Sequence, residues 1–291
     1  MQELHDWLIA PFADFAFMRR ALYGSLLLSL NSCPVGVFLM LRRMSLTGDA
    51  MAHAILPGAA AGFLLYGLEI IPMTVGGLFA GMVVALGSGA VARFTVQKED
   101  ASMAAFYLIS LALGVLIVSL RGSSVDLMNV LFGTVLARND DALTLIGCIA
   151  AATLVTLAIF WRALVAECMD PLFLRSVSRL GTPVHFIFLG LVVLNLVGGF
   201  QALGTLLSVG LMMLPAAAAR FWSRELGGLA LSAFLIAAVS SLGGLLLSYH
   251  LSLPSGPAII LVAGGFYLIS LIVGTEGGLL YRLLPMRHRT A

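Results

Sequence analysis

Apolar runs of about 20 residues, separated by short polar breaks, recur along the chain. They fall near residues 20–41, 49–68, 70–92, 101–120, 142–161, 183–201, 203–222, 227–249 and 257–275. At ~1.5 Å rise per residue, each run forms a helix about as long as the ~30 Å hydrocarbon core of a bilayer. The pattern predicts an all-α polytopic membrane protein with about nine transmembrane helices. It forms one domain, residues 1–291, because no connection is long enough to fold on its own. A further apolar piece, residues 125–137, is too short to cross and reads as a half-helix. Over residues 3–16, Leu4, Trp7, Leu8, Phe12 and Phe15 share one helical face opposite the acids. This predicts an N-terminal helix, within residues 1–18, lying in the outer interface.

Composition agrees. The chain is 60% apolar and 10% charged, against roughly 45–50% and about 25% in soluble domains. Fifteen of the sixteen basic residues are arginine. The single lysine, Lys98, stands in Val96-Gln97-Lys98-Glu99-Asp100 and not in the Gly-Lys-Ser/Thr of a phosphate-binding loop. If ATP drives this protein, another polypeptide hydrolyses it. Twelve cations fall in one set of connections (Arg42, Arg43, Arg93, Lys98, Arg162 and later ones) and four in the other. By the positive-inside rule the N-terminus is expected outside and the C-terminus in the cytoplasm. The acidic start (Glu3, Asp6, Asp14) argues against a cleaved signal peptide. Cys33 and Cys148 fall inside apolar runs and read, like Cys168, as packing residues rather than ligands.

Chemistry concentrates in Gly48-Asp49-Ala50-Met51-Ala52-His53-Ala54-Ile55-Leu56-Pro57-Gly58. Residues four apart share a helix face, and a carboxylate with an imidazole inside a membrane segment marks a transport path. Both groups ligate divalent transition metals. Pro57, followed by Gly58, has no amide for the carbonyl of His53, so a helix break is expected there. Asp49 as a simple N-cap is the competing reading. Asp126, at the start of the half-helix, is an entry-site carboxylate or another cap. His250, at the outer end of the eighth span, is a candidate further ligand, although Asp49 lies near the inner end. His185, opening the sixth span, reads as interfacial.

Pro215 is expected to break the seventh span. Its surroundings, Leu214-Pro215-Ala216-Ala217-Ala218, echo Leu56-Pro57-Gly58-Ala59-Ala60 in a span of opposite direction. Either an inverted repeat or chance accounts for the echo. Residues 163–181 form the one sizeable cytoplasmic connection. Within it Asp170 reads as an N-cap and Pro171 as a first helical residue, starting a short amphipathic helix.

Taken together, Arg42-Arg43-Met44-Ser45-Leu46 followed by Gly48-Asp49 through Pro57-Gly58 resembles the permease subunits of bacterial zinc/manganese ABC importers. Asp126-Leu127 with Leu131-Phe132-Gly133, Leu211 to Arg220, and Ser248-Tyr249 with Pro254-Ser255-Gly256 look like further segments of that family. The resemblance implies a type II importer fold in the bacterial inner membrane and a second permease copy. It also implies cytoplasmic ATP-binding subunits, an extracytoplasmic metal-binding protein, and no permanently bound cofactor. Asp170, Pro171, Leu172, Phe173 and Leu174 would couple to the ATPase, although the family often has alanine where Leu174 stands. The transported ion would be zinc or manganese; His250, where manganese members often carry a carboxylate nearby, tilts the expectation to zinc. Nucleic acid is not an expected partner. The rival function is an ion-coupled secondary transporter working without an ATPase. An intramembrane hydrolase is disfavoured, since no His-Glu-x-x-His motif occurs.

Overall fold

The computed structural model describes residues 10–67, 69–119, 140–170, 174, 176, 178 and 181–280. The described residues form helices and no strands. After a short α1 (Ala10–Asp14) come α2 (Ala16–Leu41), α3 (Ser45–Ala54), α4 (Leu56–Tyr66), α5 (Ile70–Phe94) and α6 (Glu99–Ser119). Then follow α7 (Asp140–Met169), α8 (Gly181–Leu203), α9 (Thr205–Ala219), α10 (Leu226–Leu251) and α11 (Ser255–Val273). Eight spans are long and apolar enough to cross a bilayer, counting α3 and α4 as one, and α9 is a shorter apolar helix. These match the nine apolar runs. The expected half-helix (residues 125–137) lies outside the described residues, as does the first half (residues 1–9) of the expected interfacial helix.

The helices differ in burial, and the difference follows their sequences. Along α2 and α8, 67% and 72% of the apolar window is buried, against 22% for α6 and α11. The two buried helices also carry polar side chains, several of which bond carbonyls of their own helix, while both amide atoms of buried Asn31 have no partner among the described residues. Ser29 and Ser32 donate to the carbonyls of Ser25 and Leu28 at 2.6 and 2.5 Å, and Asn195 to that of Leu191 at 2.7 Å. The outer helices turn Phe79, Ile109, Ile159 and Leu261 outward, as membrane spans do.

Two apolar cores share α2. One gathers Phe38, Met51, Leu164, Phe188, Leu189 and Met212; the other gathers Leu28, Leu211, Ala233, Ala237 and Ile259. Without a strong hydrophobic force between spans, close backbone approach supplies the packing. Gly58 of α4 and Gly76 of α5 face each other so closely that a Cβ on either would collide with the other's carbonyl. Gly58→Val is expected to force the pair apart, an overpacking cost of about 1–3 kcal/mol. A lower melting midpoint of the detergent-purified protein would register it.

Two expectations need correction here. α9 continues through Pro215 to Ala219, so no break occurs there. A proline removes one amide and need not end a helix, as Pro34 in the interior of α2 also shows, whereas Pro57 sits in the first turn of α4. Cys148 is exposed on α7 rather than buried, on one of the outer helices.

Candidate functional site

The segment that carries Asp49 and His53 begins with a tight reversal. At the end of α2 the amide of Arg43 bonds the carbonyl of Met40 at 3.2 Å, and that of Met44 bonds Leu39 at 2.9 Å. This is the Schellman pattern of helix termination, which normally uses glycine in its left-handed position. Here Arg43 occupies it, with φ of 60°, at an expected strain of about 1–3 kcal/mol. α3 starts at Ser45, so Asp49 sits in its second turn and is not an N-cap.

Most of α3 is buried: Thr47, Gly48, Ala50, Met51, Ala52 and Ala54 pack inward. The remaining stripe is Leu46, Asp49 and His53, at three- and four-residue spacing. The Asp49 side chain is 69% exposed and that of His53 41% exposed, with Oδ1 and Nε2 3.8 Å apart. That separation is too long for a hydrogen bond and short enough for one ion to bridge. Nδ1 of His53 is buried with no hydrogen-bond partner among the described residues. Asp49 also lines a cavity of about 220 Å³ with Thr47, Asp100, Met103 and Tyr107.

The expected break behind the pair is present. α3 ends at Ala54 and α4 starts at Leu56 with Pro57 in its first turn. The helical ladder resumes where the amide of Ala59 reaches Ile55 at 3.1 Å. Ser110 of α6 donates its hydroxyl to the carbonyl of Ala54 at 2.9 Å. A backbone group at a helix junction is thus satisfied by a neighbouring helix, as low-dielectric surroundings require. Nothing in the sequence singles out Ser110, because its partner is 56 positions away.

The other candidates are placed differently. Asp126, Pro171, Leu172 and Phe173 lie outside the described residues. His250 is in the last turn of α10, edge-on to Tyr249, whose ring also meets Phe15 at the start of α2. It therefore stands at the end of the bundle opposite the α2–α3 turn, and the structure does not bring it to Asp49 and His53. Among the described residues no three His, Cys, Asp or Glu side chains gather as a metal-holding group. Asp170 is exposed, and its carbonyl accepts the amide of Leu174 at 3.2 Å. Leu174 is only 9% exposed and points into its own chain.

A second polar assembly was not anticipated. Around a cavity of about 520 Å³ at the α2–α3 end, the tips of five helices bring Arg42, Arg93, Glu99, Glu167 and His185 together. Glu167 Oε1 lies 2.8 Å from Arg93 and 3.8 Å from Arg42, all three side chains being at most 7% exposed. Arg93 also donates to the Thr182 hydroxyl at 3.1 Å. Arg42 donates to Nδ1 of His185 at 3.3 Å, which leaves the His185 proton on Nε2, 3.1 Å from Glu99. The guanidinium of Arg42 stacks 4.4 Å above the Phe188 ring. His185 is thus buried in an ionic cluster and not interfacial; its partners come from distant segments, which one-dimensional reading does not join.

Spans of this number, a proline-broken helix with an ionisable stripe, and basic turns gathered at one end define a polytopic membrane transport protein. Residues 14–274 match the ABC 3 transport family, and the chain belongs to it. A manganese transport system membrane protein, MntC of Listeria innocua, is 32% identical over 268 residues, covering 92% of this chain and 94% of that one. The chelated iron transport system membrane protein YfeC of Yersinia pestis is 28% identical over 285 residues, 98% and 94% of the two chains. The solved PsaBC structure from Streptococcus pneumoniae, in complex with Fab, superimposes with a TM-score of 0.82 at 30% identity, covering 95% of this chain and 100% of that one. The chain is the permease component of a metal ABC importer in the zinc/manganese family, a multi-pass membrane protein.

Proposed function

We propose that this chain passes a divalent first-row metal ion across the bacterial inner membrane, with Asp49 and His53 as direct ligands on the route. The observation that carries this is the exposed Leu46–Asp49–His53 stripe on a helix otherwise buried. A carboxylate at membrane depth belongs against water or protein and not against lipid. A second copy of the permease, related by a two-fold axis, would cover both stripes and enclose the path between them. One oxygen and one nitrogen ligand make an incomplete shell, and water and groups from the facing copy would complete it. Incompleteness suits transport, since a saturated structural site does not release its ion.

Manganese is our preferred cargo. The tilt to zinc rested on His250 alone, which stands at the end of the bundle opposite the pair and does not reach it. Carboxylate and imidazole ligands accommodate manganese, iron and zinc alike, and relatives of this chain are named for manganese and iron transport. ATP hydrolysis falls to separate cytoplasmic subunits, docked on the exposed start of the Asp170 segment. Delivery falls to an extracytoplasmic metal-binding protein. The arginine-rich turns lie in the cytoplasm, with the N-terminus outside and the C-terminus inside.

The test is uptake by the purified complex in vesicles. Manganese uptake should require ATP, and manganese should be the ion that accumulates inside when manganese, zinc and iron are offered together. Competition by itself does not assign the cargo, because zinc outranks manganese at nitrogen and oxygen sites. Accumulation of zinc in place of manganese would reassign the cargo. Uptake without nucleotide by this chain alone would favour the secondary-transporter reading instead.

A further inference from the structure

The buried ionic cluster lies away from Asp49 and His53, yet it joins two stretches of chain that transport must link. Glu167 stands in the last turn of α7, three residues before Asp170, where the chain enters the proposed coupling segment. Arg42 caps α2, three residues before Ser45, where the metal-carrying helix begins. Between Arg42 and α3 lies only the strained left-handed Arg43 and the buried Met44. A strained reversal held by specific contacts suits a hinge, because releasing those contacts releases the strain.

We infer that Arg42, held between Glu167 and His185, is the positioning residue that transmits displacement of the coupling segment to the helix carrying Asp49 and His53. This rests on reading the Asp170 segment as the ATPase-docking element. The division of labour within the cluster follows from geometry. Arg93 makes the short pair with Glu167, at 2.8 Å, and also bonds Thr182 and the carbonyl of Gly181, at 3.1 and 3.4 Å. It therefore ties α5, α7 and α8 into one body. Arg42 makes the longer contact with Glu167, at 3.8 Å, and the bond to His185, whose other nitrogen faces Glu99 at the head of α6. It alone among the cluster's cations adjoins the turn into α3. A tilt of the α7 end moves Glu167, and through Arg42 pulls on the α2–α3 turn. The metal stripe begins four residues further on.

The inference predicts a split between ATP turnover and transport that a merely structural role would not produce. Arg42→Gln removes the link but leaves Glu167 neutralised by Arg93, so no buried carboxylate is left unpaired. In the complex with its ATPase reconstituted in vesicles, ATP hydrolysis should stay within about twofold while manganese carried per ATP falls by at least about tenfold. Arg42→Lys keeps the charge but loses the planar fork that reaches two acceptors, and should lose about threefold. Equal loss of hydrolysis and transport, or loss of neither, would overturn the assignment. Should Arg42→Gln fail to assemble, an unchanged ratio in Arg42→Lys would overturn it equally. Asp170→Lys provides the separate check on the docking reading. It should release the ATPase on co-purification, and if it does not, the coupling-segment reading fails whatever Arg42 does.

Discussion

Replacing Asp49 by alanine is expected to lower ATP-driven manganese uptake by at least about 100-fold, because outer groups that merely orient metal ligands already cost 10–100-fold when lost. His53→Ala should do the same, since neither residue alone can replace the bridging pair, 3.8 Å apart on one face. Their fold effects should be small. Both side chains are partly exposed, and alanine is the best helix former, so the purified variants should melt within a few degrees of the parent. Metal uptake and melting midpoint measured side by side separate the two explanations. Uptake retained in both variants would remove the pair from the route.

The second large effect concerns stability. Arg93→Met would leave Glu167, whose side chain is 3% exposed, without its 2.8 Å partner. Breaking a buried pair from one side costs about 3–5 kcal/mol when the remaining charge has no other partner. Arg42 still faces Glu167 at 3.8 Å, so the expected loss is about 1–3 kcal/mol. The melting midpoint in detergent should fall sharply and the yield of assembled complex with it. Removing both partners, Arg93→Met with Glu167→Leu, should recover only part of the loss, since apolar residues of similar volume often match a buried pair in stability but Arg42 then loses its own contact with Glu167. Additive losses in the double variant would mean that the two side chains act independently.

What the sequence made legible was whatever repeats along a line. The nine apolar runs became helices because hydrophobic length alone decides a membrane span. Asp49, His53 and Pro57 stood out because four-residue spacing and a missing amide are local properties, and the break formed beside the proline. Pro215 looked equivalent yet broke nothing, as Pro34 inside α2 also broke nothing, because a missing amide permits a helix end without imposing one. The ionic cluster was invisible for a different reason. Arg42, Arg93, Glu99, Glu167 and His185 each sit at a helix tip, where a charged residue ordinarily faces water. Only the crossing of the helices shows that five tips converge. The arginines that set the expected orientation also include those that organise the interior. Ser110 was hidden likewise, a serine among many until its hydroxyl met the carbonyl of Ala54.

The stripe on α3 also bears on how the protein is made. A solitary copy newly inserted in the bilayer holds Asp49 and His53 on an unshielded flank. A carboxylate at the bilayer centre is disfavoured by about 2.5–3.5 kcal/mol, and Asp49, in the second turn of α3, stands nearer the membrane edge and carries a smaller penalty. The pairing proposed above would remove that penalty, and mass action would then favour the paired form as expression rises. An orphan subunit is therefore a marked molecule, with a polar blemish for membrane quality control to recognise. Asp49→Leu, useless for transport, should accumulate better than the parent when expression is low and partners are scarce.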